Sequence, residues 1–203
     1  MKEAIKQALL VLSAVRLLPH IAVMALGPNR AVIWGDLDRW SELLLHAPLP
    51  NFTARAILFV RLMTTLPEYR NVFYLRAGIL GKLFSPLCPP LSTLYLWTKD
   101  VGPGLFVQHG FSTIISAEKI GKNCWINQQV TVGYTNLTDR PTIGDNVIIH
   151  AGAKIIGRVK VGDNSKIGAN SVVTRDVPPN VTVMGVPAAV VWRNAPVEAQ
   201  RAP

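Results

Sequence analysis

Two different spacings of apolar residues divide this chain. Up to about residue 100, apolar positions recur at the spacing of amphipathic helices, in four segments separated by breakers. The first is residues 1–18, MKEAIKQALLVLSAVRLL, stopped or kinked around Pro19. The second is 35–46, GDLDRWSELLLH, with Asp36 or Asp38 near its start. The third and fourth are 52–66 and 68–84. Gly27-Pro28-Asn29 and the HAPLPN stretch punctuate them, and PLCPP at 86–90 is a rigid connector that marks a boundary.

Beyond residue 100 the spacing changes to six. Val101 and Val107 form the first pair. After a one-residue slip come Ile114, Ile120, Ile126 and Val132; after an eleven-residue step come Ile143, Ile149, Ile155, Val161, Ile167 and Val173. A helix would give 3.6 and a half-buried strand 2. Six fits a triangular coil whose flat sides each use six residues, with one aliphatic side chain per side pointing inward and stacking on its equivalents in the next turn. Gly and Asn at intervening positions suit the tight corners.

Two departures interrupt the period. One is a bulge near 108–113, beside His109. The other is the 132–143 step, whose GYTNLTDRPT holds five residues too many and must leave the coil as a loop. After DVPPN, the VTVMGVPAAVVWR segment is expected to leave the repeat and cover the open end of the coil. The expected organisation is a helical region over 1–90, a β-helix over 91–180, and a cap and tail over 181–203.

Composition narrows the chemistry. A net charge of +9 favours anionic partners, yet no run of basic residues, zinc spacing or interleaved aromatic pattern marks a nucleic-acid module. A phosphate-rich small molecule or an anionic membrane surface fits better. Cys88 and Cys124 make no disulfide framework and read as reduced thiols of a cytoplasmic protein. Residues 9–26 are strongly apolar but carry Arg16, Pro19 and His20 in their middle. That argues first for a buried or oligomer-forming helix, second for a helix lying on a membrane, and only last for a spanning one.

The segments FVQHG at 106–110, IGKNCWINQQVTVG at 120–133, residues 141–180 and GVPAAVV at 185–191 resemble the hexapeptide-repeat acyltransferases, in particular their serine acetyltransferase-like branch. The resemblance covers roughly the second half of the chain. It implies an all-β, left-handed parallel β-helix behind an N-terminal α-helical region. It also implies a homotrimer, possibly extended to a hexamer through the helices, with acetyl-CoA in the groove between adjacent β-helices and no metal. By the same resemblance His109 is the catalytic base. Gly133, Ala151, Gly152, Lys154, Lys166, Gly168, Ala169 and Arg175 line the cofactor groove, with the three cations as phosphate partners. Gln108, Asn127, Gln128 and Gln129 form an amide-rich patch that suits either acceptor hydroxyls or polar ladders between coils, and in the inserted loop Tyr134 suits acceptor contact or packing, while Asp139 and Arg140 suit the acceptor or pairing with each other.

Two features depart from serine acetyltransferases. Their Asp-His-Ala is Gln108-His109-Gly110 here, and their second histidine, in an Asp-Arg-His-Pro stretch, is missing from Asp139-Arg140-Pro141. The EYRNVFYLR stretch at 68–76, with QHG at 108–110 and INQQVT at 126–131, resembles instead acetyltransferases of capsule, exopolysaccharide or other glycan synthesis. The expectation is therefore O-acetylation of a carbohydrate hydroxyl, with serine O-acetyltransferase as the alternative, N-acetyl transfer to an amino sugar third, and a non-catalytic scaffold as the reading from another class. The chemistry is common to the O-acetyl readings: a neutral imidazole takes the proton of the attacking hydroxyl, since histidine titrates near neutrality. A backbone N–H near Gly110 or within 133–135 is the candidate oxyanion donor.

Overall fold

Breakers and buried faces set the first half of the computed structural model, which describes residues 12–193. The chain divides after Leu91 into a helical unit and a β unit. In the first, residues 12–16 are helical and are followed by α1 (Leu18–Leu26), α2 (Arg30–Leu45), α3 (Phe52–Thr65) and α4 (Pro67–Phe84). Most of the first expected helix lies outside the described residues. The first helix breaks at Leu17, as expected around Pro19, and Pro19 sits in the first turn of α1, where a proline removes an N–H that has no partner anyway. α2 begins six residues before Asp36, so Asp36 is no cap. It is buried, and its carboxylate meets Arg76 Nε at 2.8 Å. Asn51 does cap, accepting from the Ala54 amide at 2.9 Å. Trp40, Phe59, Tyr69 and Phe73 pack edge to face at the centre. Among the described residues no helix is long and apolar enough to cross a membrane.

The second unit is a three-sided parallel β-helix. Its first face carries β1 (Leu94–Leu96), β4 (Thr113–Ile115), β7 (Thr131–Gly133), β10 (Lys154–Ile156) and β13 (Val172–Val173). The second carries β2 (Asp100–Val101), β5 (Lys119–Ile120), β8 (Thr142–Ile143) and β11 (Lys160–Val161). The third carries β3 (Phe106–Val107), β6 (Trp125–Ile126), β9 (Ile148–Ile149), β12 (Lys166–Ile167), β14 (Val181–Gly185) and β15 (Ala188–Arg193). Each face contributes one aliphatic stack. These are Leu96–Ile115–Val132–Ile155–Val173, Val101–Ile120–Ile143–Val161 and Val107–Ile126–Ile149–Ile167–Val183.

One corner is built of asparagines. Asn123, Asn146, Asn164 and Asn180 all have positive φ, near 55–58°. The amide of Asn123 donates to Asn146 at 3.3 Å, Asn146 to Asn164 at 3.0 Å, and Asn164 to Asn180 at 2.9 Å. Asparagine tolerates this conformation better than other side chains, and its amide closes the ladder.

Two expectations about register are corrected. Ile114 faces outward, level with Tyr95, and Ile115 takes the inward place. Eight positions therefore separate Val107 from Ile115 and five separate Ile115 from Ile120, so the bulge beside His109 holds two extra residues and the next corner is one short. The C-terminal segment does not leave the repeat at residue 181. β14 pairs in parallel with β12 and buries Val181 and Val183, and β15 turns back antiparallel on β14. The hairpin extends the third face, because its first strand still offers an aliphatic residue in register.

Candidate active site

His109 lies on the edge where the third face turns into the first. Gln108 hands its amide to Ile126 O at 2.9 Å, the last ladder bond before the bulge. His109 and Gly110 then take φ of 66° and 58°, and the Phe111 amide folds back onto His109 O at 2.7 Å. A left-handed non-glycine residue costs roughly 1–2 kcal/mol. Here the cost turns an exposed imidazole out from the coil. Phe111, 44% exposed, stands beside it. Periodicity could not have pointed to Phe111, since it lies inside the insertion.

The same edge runs on through the following coils. Gln129 donates to Phe111 O at 3.0 Å, Gly152 to Gln128 O at 3.0 Å, and Asn170 to Ala151 O at 2.9 Å. Gln128, Ala151, Gly152, Gly168 and Ala169 thus follow His109 along one edge. In its later coils the edge carries small residues, Ala151-Gly152 and Gly168-Ala169. Gly152 has φ of 73°, and a Cβ there would collide with the Asn170 side-chain oxygen. Lys154 crosses the edge and donates to Gln129 O at 2.6 Å.

Beside the edge, on the third face, a cavity of about 400 Å³ is lined by His150, Lys166, Gly168, Ala169, Thr182, Met184 and Trp192. Burial, and then the Lys166 ammonium, hold the His150 imidazole below its ordinary pKa. Nearby, the Asn127 Oδ1 and Trp125 Nε1 atoms are buried without a hydrogen-bond partner among the described residues. Such groups are rare and need a reason. The sequence marked Asn127 through its amide-rich neighbours, whereas nothing in it marked Trp125.

The remaining candidates lie elsewhere. Gly133, Tyr134, Asp139, Arg140 and Arg175 occupy the edge between the first and second faces. Asp139 does not pair with Arg140. Its carboxylate accepts from the Thr135 hydroxyl, the Thr135 amide at 2.9 Å and the Asn136 amide at 2.9 Å. The Thr135 hydroxyl first, and the Asn136 amide next, hold its pKa below the usual carboxylate range. These bonds close the loop on itself, and they remove the Thr135 amide from the candidate oxyanion donors. Arg140 lies over the Tyr134 ring, 5.3 Å from its centre. Among the described residues no group of three or more His, Cys, Asp or Glu side chains could hold a metal ion. The Cys124 thiol is buried in the coil and pushed up to about 12, mainly by that burial, so it is no nucleophile at neutral pH.

Residues 140–175 match the family model described as bacterial transferase hexapeptide (six repeats). A serine acetyltransferase of Synechococcus elongatus is 43% identical over 98 residues, which are 46% of this chain and 40% of that protein. The chain thus spans less than half the length of this curated relative. Among solved structures, the serine acetyltransferase of Neisseria gonorrhoeae has a TM-score of 0.60 at 24% identity, covering 84% of this chain and 68% of its own, a likeness of fold. A serine acetyltransferase solved in complex with CoA has a TM-score of 0.54 at 27% identity, covering 91% of this chain and 83% of its own.

These relatives overturn the expected carbohydrate acceptor: the names they carry are those of serine acetyltransferases. The structure supplies a physical reason why the 68–76 stretch misled. Most of its polar side chains are bonded inside the helical unit, and Tyr69, whose hydroxyl is buried without a hydrogen-bond partner among the described residues, is packed there. Tyr69 is fully buried against Trp40 and Phe59. Arg70 donates to the carbonyls of Met63, Thr64 and Pro89. Tyr74 donates to Cys88 O at 2.6 Å and meets His20 Nε2 at 3.0 Å, and Arg76 is paired with Asp36. They hold helices together.

Proposed function

We propose that this chain is a hexapeptide-repeat acyltransferase that moves the acetyl group of acetyl-CoA to the hydroxyl of L-serine. The observation that carries the reading is the His109 edge: an exposed imidazole on a left-handed residue, at the head of an edge that runs on through Ala151-Gly152 and Gly168-Ala169. Such an edge admits a narrow pantetheine-like chain. The cavity at Lys166 offers a cation and a tryptophan to a phosphorylated, planar group at its far end. The fit is to the chemistry of CoA, whose thioester supplies the acetyl group.

In the proposed reaction His109 takes the proton of the serine hydroxyl as its oxygen bonds to the acetyl carbon. The C–S bond breaks, and the imidazolium returns the proton to the departing thiolate. The Gly110 amide is the candidate oxyanion donor. Arg140 suits the serine carboxylate, because a guanidinium matches a carboxylate in planar, two-pronged fashion. Within one chain, however, His109 and Arg140 stand on different edges of the prism, separated by the first face. A neighbouring copy that set its loop edge against the His109 edge would bring both to one acceptor. This favours a homotrimer with the site between chains. With no second histidine beside Arg140, His109 carries the proton transfer alone.

Thiol release from acetyl-CoA by the purified chain tests the proposal. Release that requires L-serine and is lost in His109→Ala supports it. No serine-dependent release from a folded protein that still binds CoA overturns the acceptor, and failure to bind CoA overturns the class.

A further inference from the structure

The least ordinary surface in the molecule is on the helical unit. Leu12, Val15, Leu18, Ala22 and Leu26 are all exposed, at spacings of three and four residues along residues 12–26, with Leu26 80% exposed. The opposite side of the same helix is equally apolar and fully used: Leu17 and Met24 are buried, and His20 packs against Phe73, Tyr74 and Phe84. Helices that are apolar all round are normally covered all round. On α4, the neighbour that receives His20, the chain kinks at Gly78 and then exposes Ile79, Leu80 and Leu83. Ile79 is 86% exposed.

Charge indicates what covers this surface. Exposed Arg16 lies within the stripe, between Val15 and Leu18, exposed Arg30 lies just beyond its end, and exposed Lys82 sits between Leu80 and Leu83. The sequence holds no acidic residue from position 4 to position 35. Among the described residues of the helical unit, the acidic side chains are Asp36 and Glu68, both buried, and Asp38 and Glu42. The last two are already paired with Arg55 and Arg39, each at 2.7 Å. A second copy docked stripe to stripe would bring arginines together with no carboxylate between them. An anionic lipid surface would accept the apolar stripe and neutralise the arginines beside it at once.

We propose that the helical unit docks on anionic membranes, laying the Leu12–Leu26 stripe and the Ile79–Leu83 turn into the headgroup region without crossing it. The inference is independent of the acetyl acceptor. It is tested with the full chain by co-sedimentation with vesicles of phosphatidylcholine alone and of phosphatidylcholine mixed with phosphatidylglycerol. Pelleting is expected with the mixed vesicles only, weakening as salt is raised. Leu18→Asp with Leu26→Asp should cut the partition at least tenfold. Arg16→Gln and Arg30→Gln should each cut it about fivefold. Circular dichroism checks that the variants stay folded, which exposed positions should allow. Absence of pelleting with the mixed vesicles, or pelleting that the aspartate pair leaves unchanged, overturns the proposal. So does a smaller assembly of the aspartate variant in analytical ultracentrifugation without a change in lipid binding, which would give the stripe to a second copy.

Discussion

The helical unit and the β-helix treat their polar residues in opposite ways. In the helical unit, Asp36–Arg76, Arg70 and Tyr74–His20 are buried or tied to backbone carbonyls, and what reaches the surface of α1 is apolar. In the β-helix the core is made by one aliphatic residue per face per turn, and the backbone ladders satisfy themselves. Polar side chains there either build the corners, as in the asparagine ladder, or collect where the repeat is interrupted, at the two-residue bulge of His109 and the loop of Tyr134 to Arg140. A repeat that folds by period can carry chemistry at its breaks without disturbing the stacks on either side.

The contrast yields four predictions beyond the lipid test. The largest effect is expected at the bulge: His109→Ala should lower the rate of serine-dependent thiol release by about 10²–10⁴-fold, with the thermal unfolding midpoint unchanged. A comparable loss of stability in the mutant would break the comparison, since the bulge would then be structural. In the helical unit the expectation reverses. Asp36→Ala removes the buried carboxylate that meets the Arg76 guanidinium and should cost about 3–5 kcal/mol in denaturant unfolding. The register correction can be sharpened by a pair of neighbours. Ile115→Ala should cost about 2–5 kcal/mol as a core truncation, whereas Ile114→Ala should stay within about 0.5 kcal/mol as a surface change. Equal costs would put the inward residue back in question.

The smallest effect is a pH slope. Burial holds the His20 imidazole below its ordinary pKa of 6.5, with Arg16 adding to the shift. The folded state thus binds the proton less readily than the unfolded chain. Stability should be complete above pH 6.5 and fall as the pH drops below that value toward the lowered folded pKa. His20→Gln should remove that part of the slope in thermal melts, even if it lowers the midpoint overall.

Much of the β-helix was legible because its information is local and repeated. From Ile143 to Val173 every sixth residue predicted as inward is inward, and residues 140–175 alone suffice for the family match. Legibility failed where the period was broken. A slip of one residue and a slip of two followed by a shortened corner look alike in sequence, and Thr113-Ile114-Ile115 offers two equally apolar choices. Only the parallel pairing with Leu96 and Val132 selects Ile115. The candidate site divided in the same way. His109 and the Ala151-Gly152 and Gly168-Ala169 corners were identifiable by motif, but motif does not say which edge of a prism a residue occupies. Tyr134, Asp139 and Arg140 were grouped with His109 by chain order, and the triangular cross-section separates them.

The sequence by itself determined the architecture of the second half and its histidine, because a six-residue period has one compact solution and an insertion in it must protrude. The tertiary structure decided which polar residues are available. Asp139 is held by its own loop, Arg140 lies on Tyr134, and Tyr69, Arg70, Tyr74 and Arg76 are consumed in packing. Partnership between side chains far apart in the chain depends on where the folded backbone brings them, and no local pattern encodes it.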